Sequence, residues 1–187
     1  MAKTALFVID IQDELALDPQ TRIPDASRIC DAGTALLDRA RSYIDKGRSN
    51  GAPSDLEIVF VQHEETDGTL IKGSKPWELV FKPREEDDHE MLVGKQTQDT
   101  FESNPELASQ LKQSGVKRIV TFGIQSDCCV QATSKGALGA GFDVTVLSGA
   151  HSTYDTEEKK AVEIERDIDE ELQEKGANLL PWEQWYP

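Results

Sequence analysis

Short apolar runs that recur along the chain, with segments of helical period between them, constrain the fold more than any other feature. The runs span residues 5–9, 57–61, 118–122 and 143–147, with shorter ones at 91–93 and 178–180. Runs that are apolar on both faces are typical of central parallel strands covered by helices on each side. The alternation therefore predicts an α/β fold with a parallel sheet between two layers of helices.

The segments between the runs predict where helices begin and end. Residues 29–44 carry one apolar stripe, and residues 131–137 also have helical character. Asp155 and Glu158 have the spacing of a capping box, which predicts a helix from there to Gly176. The polar stretch 68–88, rich in Gly and Pro, is predicted to be an active-site loop.

Length and charge restrict the domain count and the partners. The 187 residues suit one domain over residues 1–187. A net charge of −15 disfavours nucleic acid and anionic membranes as partners. We expect no secretory leader and no spanning segment. The three cysteines do not form a disulfide framework, so a reducing, cytoplasmic location is expected.

Polar residues that follow the predicted strands are the candidates for chemistry, because ligands bind at the carboxyl ends of parallel strands. An acid (Asp10), a base (Lys95) and two adjacent thiols (Cys128 and Cys129) occupy such positions. A nucleophilic cysteine needs a proton acceptor and a nearby positive charge. Cys129 lies closer to the predicted helix start, where exposed N–H groups and the helix dipole are expected to lower a thiol pKa. Cys128 is expected to turn away from the pocket as a structural thiol.

Four segments together resemble the isochorismatase-like cysteine hydrolases: residues 7–12, 93–95, 123–133 and 150–155. The resemblance implies a six-stranded, mainly parallel sheet in a three-layer α/β/α fold. It also implies a catalytic triad of Asp10, Lys95 and Cys129. A cis peptide bond between Ile124 and Gln125 is implied as well, and with it an oxyanion hole formed by the N–H groups of Gln125 and Cys129. Relatives are commonly dimers or tetramers, so a homo-oligomer is expected.

Two departures from the family narrow the expected chemistry. The nicotinamidase branch holds a metal with an Asp-x-His pair and a further His, whereas residues 61–65 contain only His63. We therefore expect no metal and no other cofactor. Isochorismatases that cleave a vinyl ether lack the nucleophilic cysteine, so the presence of Cys129 indicates cleavage of a C–N bond.

Four further residues are candidates for substrate binding: Gln12, His63, Trp77 and His151. Each has an alternative structural role. His63 and His151 could equally be satisfied turn residues, and Trp77 could anchor a loop. A glycine-rich segment at residues 136–141 does not indicate a nucleotide site, because it follows a helix and precedes a strand.

The sequence thus predicts a cysteine hydrolase that acts on a small amide, carbamoyl compound or ureide through an acyl-enzyme. Asp10 would take the thiol proton and Lys95 would stabilise the charged pair. Two alternatives remain open at this point. One is a non-catalytic binding protein with the same fold, and the other is a thiol redox protein that uses the adjacent cysteines.

Overall fold

One parallel sheet of six strands organises the computed structural model, which describes residues 2–187. The strands are β1 (Lys3–Ile9), β2 (Leu56–His63), β3 (Glu90–Lys95), β4 (Val116–Ile124), β5 (Asp143–Ser152) and β6 (Asn178–Pro181). Their order is β3-β2-β1-β4-β5-β6, and every neighbouring pair is parallel. The predicted six-stranded α/β sheet is confirmed.

Helices cover both faces of this sheet. They are α1 (Asp13–Ala16), α2 (Ala26–Ser49), α3 (Thr100–Ser103), α4 (Leu107–Gln113), α5 (Gln131–Gly139) and α6 (Ala161–Glu174). On one face, Leu6 and Val8 of β1 pack with the buried residues of α2. On the other face, Phe7 and Ile9 pack with buried residues of α4, α5 and α6. Alternating side chains of one strand thus enter two cores, which gives the three predicted layers. No helix within residues 2–187 combines the length and the apolar character needed to cross a membrane.

The order in which the chain adds strands to the sheet reverses at β1. From β1 the chain adds β2 and then β3 on one side, and it returns to pair β4 with the opposite edge of β1. Such a reversal opens a crevice at the carboxyl ends of the two central strands, and ligands of open α/β sheets bind there. Asp10 follows β1 and Gln125 follows β4, so both lie at this crevice.

The start of α6 differs from the prediction. The helix begins at Ala161, and the capping box predicted for Asp155 and Glu158 is wrong. Instead, the Glu163 side chain accepts a hydrogen bond from the Lys160 N–H (3.0 Å), and Asp155 accepts one from the Ala161 N–H (2.8 Å). The capping box forms later in the chain, at Lys160 and Glu163, because the apolar stripe of the helix begins only at Ala161.

Gly123 lies on β4 at the crevice, where the backbone of β1 approaches it closely. Its φ is +137°, and a Cβ built there would lie 2.0 Å from the Ile9 carbonyl oxygen. We expect Gly123→Ala to destabilise the fold by about 3 kcal/mol, from overpacking and an unfavourable backbone conformation combined. Gly139→Ala is the matched control, since a Cβ there has no atom within 4 Å. Urea denaturation should show little change or a slight gain for the control, and equal loss in both variants would contradict the argument.

Candidate active site

A cavity of about 330 Å³ opens at the carboxyl ends of β1 and β4. Its size suits a small molecule, at the lower end of the range for ligand pockets. The residues that line it are Asp10, Glu14, Leu15, His63, Glu65, Thr69, Leu70, Gln98, Ile124, Gln125, Cys128, Cys129 and Tyr154. Residues from five different parts of the chain therefore meet at the crevice that the strand order creates.

Asp10 is held in an uncommon backbone conformation at the end of β1. Its φ is +47°, a left-handed value that few residues other than glycine adopt, and only 1% of the residue is exposed. Within the described chain, its Oδ1 atom has no hydrogen-bond partner. A buried carboxylate oxygen without a donor costs free energy unless a ligand or a proton satisfies it. Asp10 thus has an oxygen free to accept a proton or an N–H group.

The Lys95 ammonium is the centre of the site. Its Nζ atom lies 2.7 Å from Asp10 Oδ2, 3.1 Å from His63 Nδ1 and 3.2 Å from Cys129 Sγ. It also donates to the Thr97 carbonyl at 3.1 Å. Burial is the largest single influence and would lower the pKa of Lys95, but Asp10 and Cys129 together outweigh it and the pKa is raised. The side chain therefore keeps its charge where the acid, the imidazole and the thiol meet.

The two adjacent cysteines lie on one π-helical turn, Ser126–Val130, between β4 and α5. Both thiols line the cavity, so the expectation that Cys128 turns away from it is wrong. That expectation assumed an extended turn, in which neighbouring side chains point in opposite directions. In a helical turn neighbouring side chains are well under half a turn apart, and both can face one space. Only Cys129 contacts Lys95.

The pKa of the Cys129 thiol is raised, contrary to the expected lowering. Burial is the largest cause, the negative charge of Asp10 adds to it, and the positive charge of Lys95 only partly opposes them. Cys129 also precedes α5, which begins at Gln131, so it lies outside the first turn of that helix. The resting site thus holds a protonated thiol beside a carboxylate. The proton has to leave as the sulfur reacts.

The peptide bond between Ile124 and Gln125 is cis, as the resemblance implied. The Gln125 carbonyl accepts hydrogen bonds from the backbone N–H groups of Cys128 (3.3 Å) and Val130 (3.1 Å). These bonds fix the cysteine turn to the end of β4. The oxyanion hole of Gln125 and Cys129 stays a prediction.

His63 lines the cavity as predicted, beside the ammonium. Burial and the Lys95 charge lower its pKa, so the imidazole is neutral at pH 7. Because an ammonium can only donate, Nδ1 accepts from Lys95 and the proton of the neutral ring is on Nε2.

Gln12 and Trp77 do not line the cavity, which corrects their assignment to substrate binding. The Gln12 side chain is fully buried, and its Nε2 donates to the carbonyls of His63 (3.0 Å) and Trp77 (2.8 Å). Its Oε1 accepts from the His63 N–H at 3.0 Å. Gln12 thus fixes the end of β2 and the following loop, and Trp77 takes part through its backbone carbonyl.

His151 is also placed away from the cavity, and its assignment to substrate binding is corrected. It is fully buried, with Nδ1 2.9 Å from Ser126 Oγ and Nε2 2.9 Å from Asp169 Oδ1. Both ring nitrogens are therefore occupied by protein groups. His151 connects the cysteine turn to α6, and this is a positioning role.

Sequence reasoning missed several residues of the cavity wall, above all Glu14, Glu65 and Tyr154. The sequence signal that could have indicated Glu14 was its position shortly after the first strand, on α1. The predicted active-site loop 68–88 contributes only Thr69 and Leu70 to the wall.

The side chains at the site do not fit a metal ion. Asp10, His63 and Cys129 each offer a ligand atom, and these atoms lie within 4.8 Å of one another. However, the Lys95 ammonium already contacts all three of them. A metal ion would bring a second cation to within a few ångströms of a buried first one, which is unfavourable.

Comparisons with known proteins agree on one family. The family model described as the isochorismatase domain matches residues 4–176. Streptothricin hydrolase from Streptomyces noursei is 32% identical over 152 residues, which are 81% of this chain and 50% of that protein. The chain spans about half the length of the curated relatives it matches first.

Solved structures share the fold. An isochorismatase-like hydrolase from Alkaliphilus metalliredigens has a TM-score of 0.80 at 22% identity, with 98% of this chain and 96% of that chain covered. A pyrazinamidase of Pyrococcus horikoshii in complex with zinc has a TM-score of 0.69 at 23% identity, covering 96% of this chain and 99% of that chain. At such identities the likeness shows the fold alone.

The position of Lys95 predicts that zinc does not bind at this site. A metal that binds the native state raises the melting temperature. We expect no rise when zinc is added to the dialysed protein, and only substoichiometric metal in the purified protein by elemental analysis. Stoichiometric zinc, or a zinc-dependent rise in melting temperature that His63→Ala abolishes, would contradict this.

The raised thiol pKa predicts an unusual response to Asp10→Asn. Because the Asp10 charge raises the Cys129 pKa while Lys95 lowers it, the amide should leave more thiolate at a fixed pH. Iodoacetamide should therefore label Cys129 about fivefold faster at pH 7.5 in Asp10→Asn than in the wild type. Peptide mapping gives the rate, with Cys30, far along the chain on α2, as internal control. Slower labelling of Cys129 in the variant would show that its thiolate depends on Asp10 in another way.

Proposed function

The chain belongs to the isochorismatase family, and from this membership we propose that it is a cysteine hydrolase of small amide, carbamoyl or ureide substrates. The observation that supports this most directly is the Lys95 ammonium, which contacts both the Asp10 carboxylate (2.7 Å) and the Cys129 sulfur (3.2 Å) at the wall of a small cavity. An acid, a cation and a thiol in contact are the groups that thiol acylation needs.

In the proposed first step, the Cys129 sulfur attacks the substrate carbonyl carbon. Asp10 takes the thiol proton as the C–S bond forms, which removes the need for a thiolate at rest. This suits the raised pKa of the thiol. The carbonyl oxygen becomes an oxyanion, for which the N–H groups of Gln125 and Cys129 are the proposed donors.

In the second step, the C–N bond breaks as Asp10 gives its proton to the leaving nitrogen. The products at this stage are a free amine or ammonia and a thioester on Cys129. Asp10, again a carboxylate, then takes a proton from water, and the hydroxide attacks the thioester. The acid is released and the sulfur regains its proton. Lys95 keeps its charge throughout and offsets the negative charge that passes between Asp10 and Cys129.

A thiol redox function is the second candidate, because Cys128 and Cys129 both line the cavity. Burial is the main cause that raises the pKa of each thiol. Redox-sensing cysteines are typically of low pKa, so this candidate is the weaker of the two. Consumption of peroxide that Cys128→Ser abolishes would favour it.

The two cysteines provide a matched pair for testing the hydrolase. Ammonia or amine release is measured across a panel of small amides, carbamoyl compounds and ureides. Cys129→Ser should lower turnover by roughly 10³-fold or more, because a serine hydroxyl beside Asp10 is a far weaker nucleophile. Cys128→Ser, which alters the same cavity without touching Lys95, should stay within about threefold of the wild type.

Intact-protein mass spectrometry gives a second readout. A substrate trapped during turnover should add one acyl group in exchange for one hydrogen, and only when Cys129 is present. An acyl adduct that persists in Cys129→Ser but disappears in Cys128→Ser would assign the nucleophile to the neighbouring residue.

A further inference from the structure

Charge is distributed unevenly around the cavity. Three carboxylates line it, from Asp10, Glu14 and Glu65, and no lysine or arginine of residues 2–187 does. Lys95, which is buried, is already the ion-pair partner of Asp10. His63 adds no positive charge, because its pKa is lowered. The wall therefore carries an excess of negative charge on Glu14 and Glu65.

Neither of these glutamates has a cation as partner. In the described part of the chain, no lysine, arginine or histidine nitrogen lies within 4 Å of either carboxylate. The neighbouring Glu64 differs, since it pairs with Lys72 at 3.4 Å. Two unpaired carboxylates at one small cavity repel each other and favour a bound cation.

Neutral donors hold both glutamates in place. Glu65 Oε2 accepts from the backbone N–H groups of Thr69 (3.1 Å) and Leu70 (3.3 Å), and Glu14 Oε2 accepts from the Thr69 hydroxyl. These bonds use one oxygen of each carboxylate and leave the charge uncompensated. Thr69 thus joins the two glutamates into one acidic edge of the cavity, while the other oxygens are available to a ligand.

Asp10 gives an independent indication that a polar ligand enters the cavity. Asp10 lines this space, and its buried Oδ1 atom has no hydrogen-bond partner among residues 2–187. A substrate N–H near the reacting carbonyl would satisfy it. The cavity therefore offers an acceptor beside the thiol and an acidic edge elsewhere on its wall.

We propose that the substrates are amides that also carry a positively charged group, such as an ammonium, and that Glu14 and Glu65 bind this group while Cys129 faces the carbonyl. This rests on the proposed function for the identity of the reacting bond. The chain's net charge of −15 acts in the same direction, because it attracts cations at long range.

The test uses three amides of similar size that differ in the charge at one end: β-alaninamide (cationic), 3-hydroxypropanamide (neutral) and succinamate (anionic). Binding is measured by calorimetry on Cys129→Ser, and kcat/KM for ammonia release on the wild type. We expect β-alaninamide to exceed the neutral amide by about tenfold in both measurements, and succinamate to be the weakest.

Variants assign the effect to the acidic edge. The double substitution Glu14→Gln with Glu65→Gln keeps acceptor oxygens for the loop but removes both charges, so the ratio of cationic to neutral amide should fall close to one. Glu64→Gln, which changes a paired glutamate outside the cavity wall, should leave this ratio unchanged.

The outcomes separate this inference from the proposed function. Turnover without preference for the cationic amide, or a preference that the double variant retains, overturns the role of Glu14 and Glu65 and leaves the hydrolase intact. Preferential binding of β-alaninamide without turnover of any amide supports the acidic edge and contradicts the hydrolase. If β-alaninamide shows no binding preference and no amide is turned over, both the acidic edge and the hydrolase are contradicted.

Discussion

A buried ammonium is the interaction on which the rest of the site depends. Lys95 is 2% exposed, and its charge is compatible with the interior only because Asp10 lies 2.7 Å away. The same ammonium orients the His63 ring and contacts Cys129. Removing it would leave the buried Asp10 carboxylate without a counter-charge. Asp10 and Cys129 would also lose the contact that they share. One cation therefore contacts a carboxylate, an imidazole and a thiol at once.

Much of this arrangement could be predicted from residue order alone. Asp10, Lys95 and Cys129 each follow or end a strand, and the topology of a parallel sheet brings strand ends together whatever the loops do. The sheet itself was predictable because its central strands are apolar on both faces. The start of α6 could not be predicted in this way, because Asp155 and Glu158 have the spacing of a capping box although the box forms at Lys160 and Glu163.

Polar residues near the site were harder to place. A glutamine or histidine beside a strand end looks the same in sequence whether it faces a ligand or bonds to the protein. Gln12 and His151 do the latter, since backbone groups or side chains occupy their polar atoms. Cys128 was misplaced because the turn type, which sets the angle between neighbouring side chains, is not encoded in a short pattern. The Cys129 pKa depends on burial, which only the fold reveals.

The way Gln12 holds the segment between β2 and β3 has a consequence for how such a protein can diversify. Its Nε2 contacts the carbonyl oxygen of residue 77, an atom that every amino acid supplies, and Gln62 contacts the same oxygen at 2.9 Å. The Trp77 indole N–H, by contrast, has no partner within the described chain. The anchoring of the segment is thus independent of which side chain occupies position 77. The segment can therefore accumulate substitutions at position 77 while its attachment to the end of β2 stays unchanged.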